Sequence, residues 1–208
     1  MIATIALGAS ALCAQQRYDF SVYGGGSFTS STTISNQSAG SADAGFNSGF
    51  SAGAAFGQDL YKYIGGEIRY SYQHQQMKLS NSSGEATFSG DSQAIGYDLV
   101  FHFTPRKSHV RPYVSAGGGG KYFRGTGSES AVQPLSEIAV LTKTGQWVGM
   151  VSFGGGVKFA LSHGISLRVD VHDYMTPFPN NVIAPTPGSS VSGWVNNIVP
   201  TVGLTFNF

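Results

Sequence analysis

The chain has 208 residues, enough for one domain of ordinary size. Its 12 Lys and Arg nearly offset 11 Asp and Glu, and no basic run appears along the sequence, so nothing points to nucleic acid as a partner. Cys13 is the only cysteine, which excludes a disulfide framework and a cysteine metal site, while 29 glycines beside 12% aromatic residues suit a twisted antiparallel sheet better than helices.

Met1–Ala14 is apolar and small, with Ala14 before Gln15. It reads as the h-region and c-region of a secretory signal lacking a basic n-region, so residues 1–14 are assigned to a signal peptide and 15–208 to the folded domain. Cys13 as a lipoprotein cysteine fits poorly, because Leu12 stands where a small residue is expected. No later run approaches the ~18 apolar residues of a spanning helix.

Eight strands follow, each with strict two-residue alternation. The first, Tyr18–Phe28, aligns Tyr18, Phe20, Val22 and Phe28. The second, Phe46–Phe56, aligns Phe46, Phe50 and Phe56, and the third, Tyr63–Gln73, aligns Ile64, Ile68, Tyr70 and Tyr72. The fourth, Ala94–Phe103, aligns Ile95, Tyr97, Leu99, Phe101 and Phe103. The fifth is Pro112–Phe123, around a four-glycine run, and the sixth is Trp147–Leu161. The seventh is Ile165–His172, and the eighth, Ile198–Phe208, alternates without a break to its end. Long connections rich in Ser, Thr, Asn, Gly and Pro follow the odd strands: Thr29–Gly45, Met77–Gly90, Gly125–Gly145 and Asp173–Asn197. Short ones follow the second, fourth and sixth strands: Gly57–Lys62, Thr104–Arg111 and Ser162–Gly164. Short turns on one rim and long loops on the other are the layout of a membrane barrel, with the short turns periplasmic.

The decisive pattern is the charge parity. Across the eight segments the apolar parity carries no charge, while the other carries Asp19, Glu67, Arg69, Asp98, Lys121, Lys158, Arg168 and Asp170. A soluble barrel hides its apolar face inside, whereas a membrane barrel turns it out to lipid. Four acids against four bases form an interior that neutralises itself, and an eight-stranded barrel has just enough room for side chains. The expected fold is therefore all-β: a closed eight-stranded antiparallel transmembrane barrel. Glu67, Arg69, Asp98, Arg168 and Asp170 are expected to form one network in the lower half of the lumen, with Lys158 near the floor and Lys121 higher. The ordinary role for such charges is to fill the lumen; a proton or ion path is the functional alternative.

The terminal aromatic strand, the segment RPYVSAGGGGKYF (Arg111–Phe123) and FGGGVKFALSHGISLRVDVHDY (Phe153–Tyr174) resemble the small OmpA-type, OmpX-like and opacity-protein-like outer-membrane barrels. The resemblance covers 15–208. It implies an integral outer-membrane location, with outer-membrane lipids and lipopolysaccharide as surroundings and a monomeric state. It also implies that Phe208, with Phe206 on the same face, belongs to the signal read by the barrel-assembly machinery. Nothing in the chain corresponds to the peptidoglycan-binding domain of OmpA, so cell-wall anchoring is not implied.

The sequence holds few residues that suggest chemistry. Some eight-stranded barrels are lipid A acyl-processing enzymes using His, Ser and an acid near the outer rim. His74 with Asp91 and Ser92 offers those residue types without a motif, so no enzyme is expected. His74, His102, His109, His163 and His172 show no paired ligand spacing, and neither metal nor cofactor is expected. His102 and His172 are expected to face the lumen and His109 and His163 the solvent. The glycine runs precede no helix and read as sites of strong strand twist. The expected function is a structural, adhesive or shielding envelope protein with its lumen closed by charge; the alternative is a narrow porin-like channel for small solutes or ions. A soluble lipocalin-like binder would need an apolar interior.

Overall fold

A computed structural model describes residues 17–128 and 133–208. The expected signal segment, residues 1–14, lies outside the described residues. Eight long strands form a ring: β1 (Tyr18–Thr29), β4 (Gly49–Asp59), β5 (Ile64–Asn81), β6 (Gly84–His102), β7 (Val110–Gly125), β9 (Gly145–Ser162), β10 (Ile165–Pro177) and β14 (Asn197–Asn207). Each pairs antiparallel with its neighbours in chain order, and β14 returns to pair with β1, Phe20 opposite Phe206 and Phe28 opposite Ile198. Closure pairs each strand of the ring on both sides, so the ring presents no open edge to its surroundings. The short connections sit at one rim. The tightest joins β9 to β10, where Gly164 at φ 87° takes the left-handed conformation that a side chain would resist.

Sidedness follows the two-residue period. Phe20, Val22, Ile68, Ile95, Leu99, Phe153, Val202 and Leu204 project outward and are exposed, while Ser21, Glu67, Arg69, Asp98, Arg168 and Asp170 project inward and are buried. The wall is thus apolar outside and polar inside. Glycines on the inward parity let strands coil closely around a crowded lumen: a Cβ on Gly203 would strike the Val22 carbonyl, and one on Gly154 would strike the His172 ring.

The long-loop end departs from the sequence expectation. Met77–Gly90 is not a loop. β5 and β6 run on as one hairpin to a tight turn at Ser82 and Ser83, paired from Ile64–Phe101 to Asn81–Gly84. The first long connection holds a second hairpin, β2 (Thr32–Asn36) with β3 (Gly40–Phe46), and β3 adds to β5 with Phe46 opposite Met77. Four short strands finish the cap: β8 (Ala139–Leu141), β11 (Ile183–Pro185), β12 (Ser189–Ser190) and β13 (Trp194–Val195). β11 pairs β8, β12 pairs β2, and β13 pairs β10, so all four long connections are stitched together.

Above the barrel the parity rule inverts. Met77, Leu79, Ala86 and Phe88 point inward and join Ile34, Ala44, Phe123, Ile138, Leu141, Phe178 and Ile183 in one buried apolar cluster. The outward positions become polar, and Lys78 pairs Glu85 at 3.0 Å. Where water surrounds the sheet, the apolar face must turn in. Phe46, expected on the lipid face, is a correction. The strand is interrupted at Asn47 and Ser48, β4 begins only at Gly49, and Phe46 is buried against Phe123 with ring centroids 5.2 Å apart. Because the cap has its own core, Ile34→Val should cost about 1 kcal/mol by leaving a methyl-sized void. Amide exchange should quicken in β2 and β3 and stay unchanged in the ring strands.

Candidate functional site

The lumen is built in layers. At its centre, β5 supplies Glu67 and Arg69 and β10 supplies Arg168 and Asp170, each pair two residues apart and therefore on one face. Arg168 Nη1 and Nη2 donate to the two Glu67 carboxylate oxygens at 2.6 and 2.9 Å, and its Nε donates to Asp170 Oδ2 at 2.6 Å. Arg69 Nη2 donates to Asp170 Oδ2 at 2.7 Å and its Nε to Glu67 Oε1 at 3.2 Å. Two guanidinium groups and two carboxylates thus alternate in a closed ring spanning the lumen. Tyr113 and Thr201 hydroxyls also donate to Asp170, and the Arg69 and Arg168 guanidinium groups lie over the Tyr23 and Tyr113 rings at 4.6 and 5.1 Å. Planar, doubly hydrogen-bonded arginines suit this crowded position better than lysines would.

Toward the short-turn rim, Lys158 donates to Asp19 at 2.7 Å. Beside it Asp59 accepts from Arg111 at 3.0 Å through both oxygens and from Arg106 at 2.7 Å, with His102 Nε2 3.4 Å away. Sequence reasoning misses this floor group. Asp59 and Arg111 read as turn residues, and only the register, Asp59 opposite Gly65 and Arg111 opposite Lys158, brings them inside. Asp98 stands apart from the arginine ring. It accepts from Ser152 at 2.6 Å and lies 3.4 Å from His172 Nε2, so the expected single network is resolved into adjoining groups.

Toward the cap, Ala94, Met150, Tyr174 and Val199 make a buried apolar layer. Lys121 lies higher and is 1% exposed. Its ammonium donates to Gln73 at 2.8 Å and Asn197 at 2.6 Å and lies 5.0 Å from the Phe123 ring. Among the described residues it has no carboxylate ion-pair partner. The capping core begins immediately above, since Phe123 belongs to it.

The remaining sequence candidates fall elsewhere. Phe206 and Phe208 are on the outer face, and Phe208 closes the ring through backbone bonds with Tyr18, whose ring stacks on it at 6.4 Å. His74 and Asp91 pair across β5 and β6, but His74 is exposed on the outer face, Asp91 binds Arg124 at 2.7 Å, and Ser92 points into the lumen. The three side chains do not converge. His109 and His163 lie exposed at the short-turn rim.

Comparison with known proteins agrees with this architecture. No curated protein sequence matches the chain significantly. Among solved structures, OprG from Pseudomonas aeruginosa is similar with a TM-score of 0.60 at 16% identity, covering 92% of this chain and 96% of its own. Neisserial surface protein A is similar with a TM-score of 0.58 at 15% identity, covering 93% and 98%. At such identities the likeness establishes the fold. The profile of the outer membrane protein beta-barrel domain matches residues 2–206, nearly the whole chain, and the chain therefore belongs to the outer-membrane protein β-barrel family.

Proposed function

We propose that this protein is a monomeric, non-enzymatic, integral component of the bacterial outer membrane whose lumen is closed and whose stitched loops form a surface for adhesion or shielding. The observation that carries the closed lumen is the Glu67–Arg168–Asp170–Arg69 ring, followed toward the cap by two further barriers, the apolar layer at Met150 and Tyr174 and the capping core. An ion crossing this path would have to displace paired charges and then lose its water in two apolar zones. The adhesive or shielding role rests on the loops. They are tied into one cap, which presents a fixed polar surface rather than four separate segments. Lipopolysaccharide and outer-membrane lipids are the surroundings proposed for the wall. The barrel-assembly machinery is the partner proposed for Phe206 and Phe208, both of which the outer face leaves accessible.

Planar-bilayer recording of the purified protein tests closure. The expected result is no steady ohmic current, with the Arg168→Ala/Arg69→Ala variant conducting more than the parent. A large, stable conductance from the unaltered protein would support a narrow channel for small solutes instead.

A further inference from the structure

The short-turn rim carries a cavity of about 660 Å³ leading from the turns toward the lumen floor. Six basic side chains line it: Arg106, Lys107, His109, Arg111, Lys158 and His163. The Ser108, Ser162 and Ser166 hydroxyls complete its polar wall. A neighbouring cavity of about 460 Å³ shares Arg106 and Lys107 and adds Arg17 and Lys62. No carboxylate lines either cavity among the described residues, and the chain ahead of Arg17 contains no acid.

The charges are only partly spent. Asp19 lies behind Lys158, and Asp59 lies behind Arg111 and Arg106, so two carboxylates face six Lys and Arg side chains across the two cavities. Arg111 Nε is buried without a hydrogen-bond partner in the protein. Lys107 and His163 are exposed on two different turns that border the same opening, and neither side chain has an ion-pair partner among the described residues. These residues are scattered from 17 to 163 in the chain, and only ring closure gathers them. A concave site lined by cations and hydroxyl donors concentrates field on an anion.

We propose that this vestibule binds a phosphate-type oxyanion presented from the short-turn side, with Lys107 and His163 as the outer contacts and Arg106, Arg111 and Lys158 as the electrostatic base. The same group could arrive on a free anion or on an anionic phospholipid headgroup, because exposed Leu161 borders the opening and continues onto the lipid-facing wall.

The test uses the whole protein in nanodiscs and inorganic pyrophosphate as the free probe. In phosphatidylcholine discs, calorimetry should show saturable binding that falls steeply as salt rises from about 0.05 M to about 0.5 M. Lys107→Gln/His163→Gln, confined to exposed turn residues, should weaken it by about tenfold. Lys78→Gln, on the opposite rim, should leave it unchanged. If the source is a headgroup, phosphorus NMR in discs containing phosphatidylglycerol should instead show a bound lipid signal that the double variant abolishes. Absence of both signals, or either signal unchanged in the double variant, overturns the proposal.

Discussion

Replacing Arg168 with Met should be among the most damaging single changes available, costing about 3–5 kcal/mol of unfolding free energy. The side chain is 1% exposed and touches both carboxylates of the central ring. Its loss leaves Glu67 and Asp170 to share Arg69, so one buried negative charge remains uncompensated. The informative comparison is the double variant Arg168→Met/Glu67→Leu. That pair removes one charge of each sign and leaves Arg69 with Asp170 at 2.7 Å. The double variant should therefore be more stable than Arg168→Met alone, although it changes more atoms. Urea unfolding from lipid vesicles, followed by tryptophan fluorescence, measures the full cycle. Additive losses would mean that the four groups do not act as one ring.

An arginine on the outer wall should be comparably costly for the opposite reason. Val202 is exposed midway along β14, between Gly24 of β1 and Val169 of β10. In hydrocarbon, Val202→Arg should cost about 2–4 kcal/mol, whereas Ile198→Arg, near the long-loop end of the same strand, should cost about 0–1 kcal/mol. The depth dependence is the discriminating result. A barrel with water outside would tolerate arginine equally at both positions, since neither side chain is buried by protein. Measuring both variants in the same vesicles separates a membrane belt from an exposed apolar surface of another origin.

Several site residues are legible in the sequence, because each requires only local parity. Glu67 and Arg69 fall two apart on one strand and Arg168 and Asp170 two apart on another, so their common inward face follows from backbone geometry. Partner choice does not follow. That Arg168 binds Glu67, and that Asp98 turns to Ser152 and His172 instead, depends on the register and coiling of strands distant in sequence. Lys121 illustrates the same limit, since charge balance along the chain gives no reason to expect a lumen ammonium held by two amides.

The loops show the limit of reading polarity alone. Met77 and Leu79 keep the inward parity of Gln73 and Gln75 on β5, Phe88 and Ala86 keep that of Ser92 on β6, and the change from polar to apolar along each parity is present in the sequence. It is unreadable without knowing where hydrocarbon ends and water begins, for that boundary reverses which face must be greasy. Ile34, alone among Ser, Thr and Asn, and the short apolar runs at Ile138–Leu141 and Val182–Ala184 form a core only because the connections meet over one barrel mouth.

The eight ring strands, the short turns at one rim, and the outward turn of the apolar face were determined by the sequence alone. They depend on a two-residue period and on the exclusion of charge from one side of it. Tertiary closure decided the pairing inside the lumen, the cap above it and the basic vestibule below. Those features depend on which residues of separate strands arrive at the same height, a quantity that no local pattern contains.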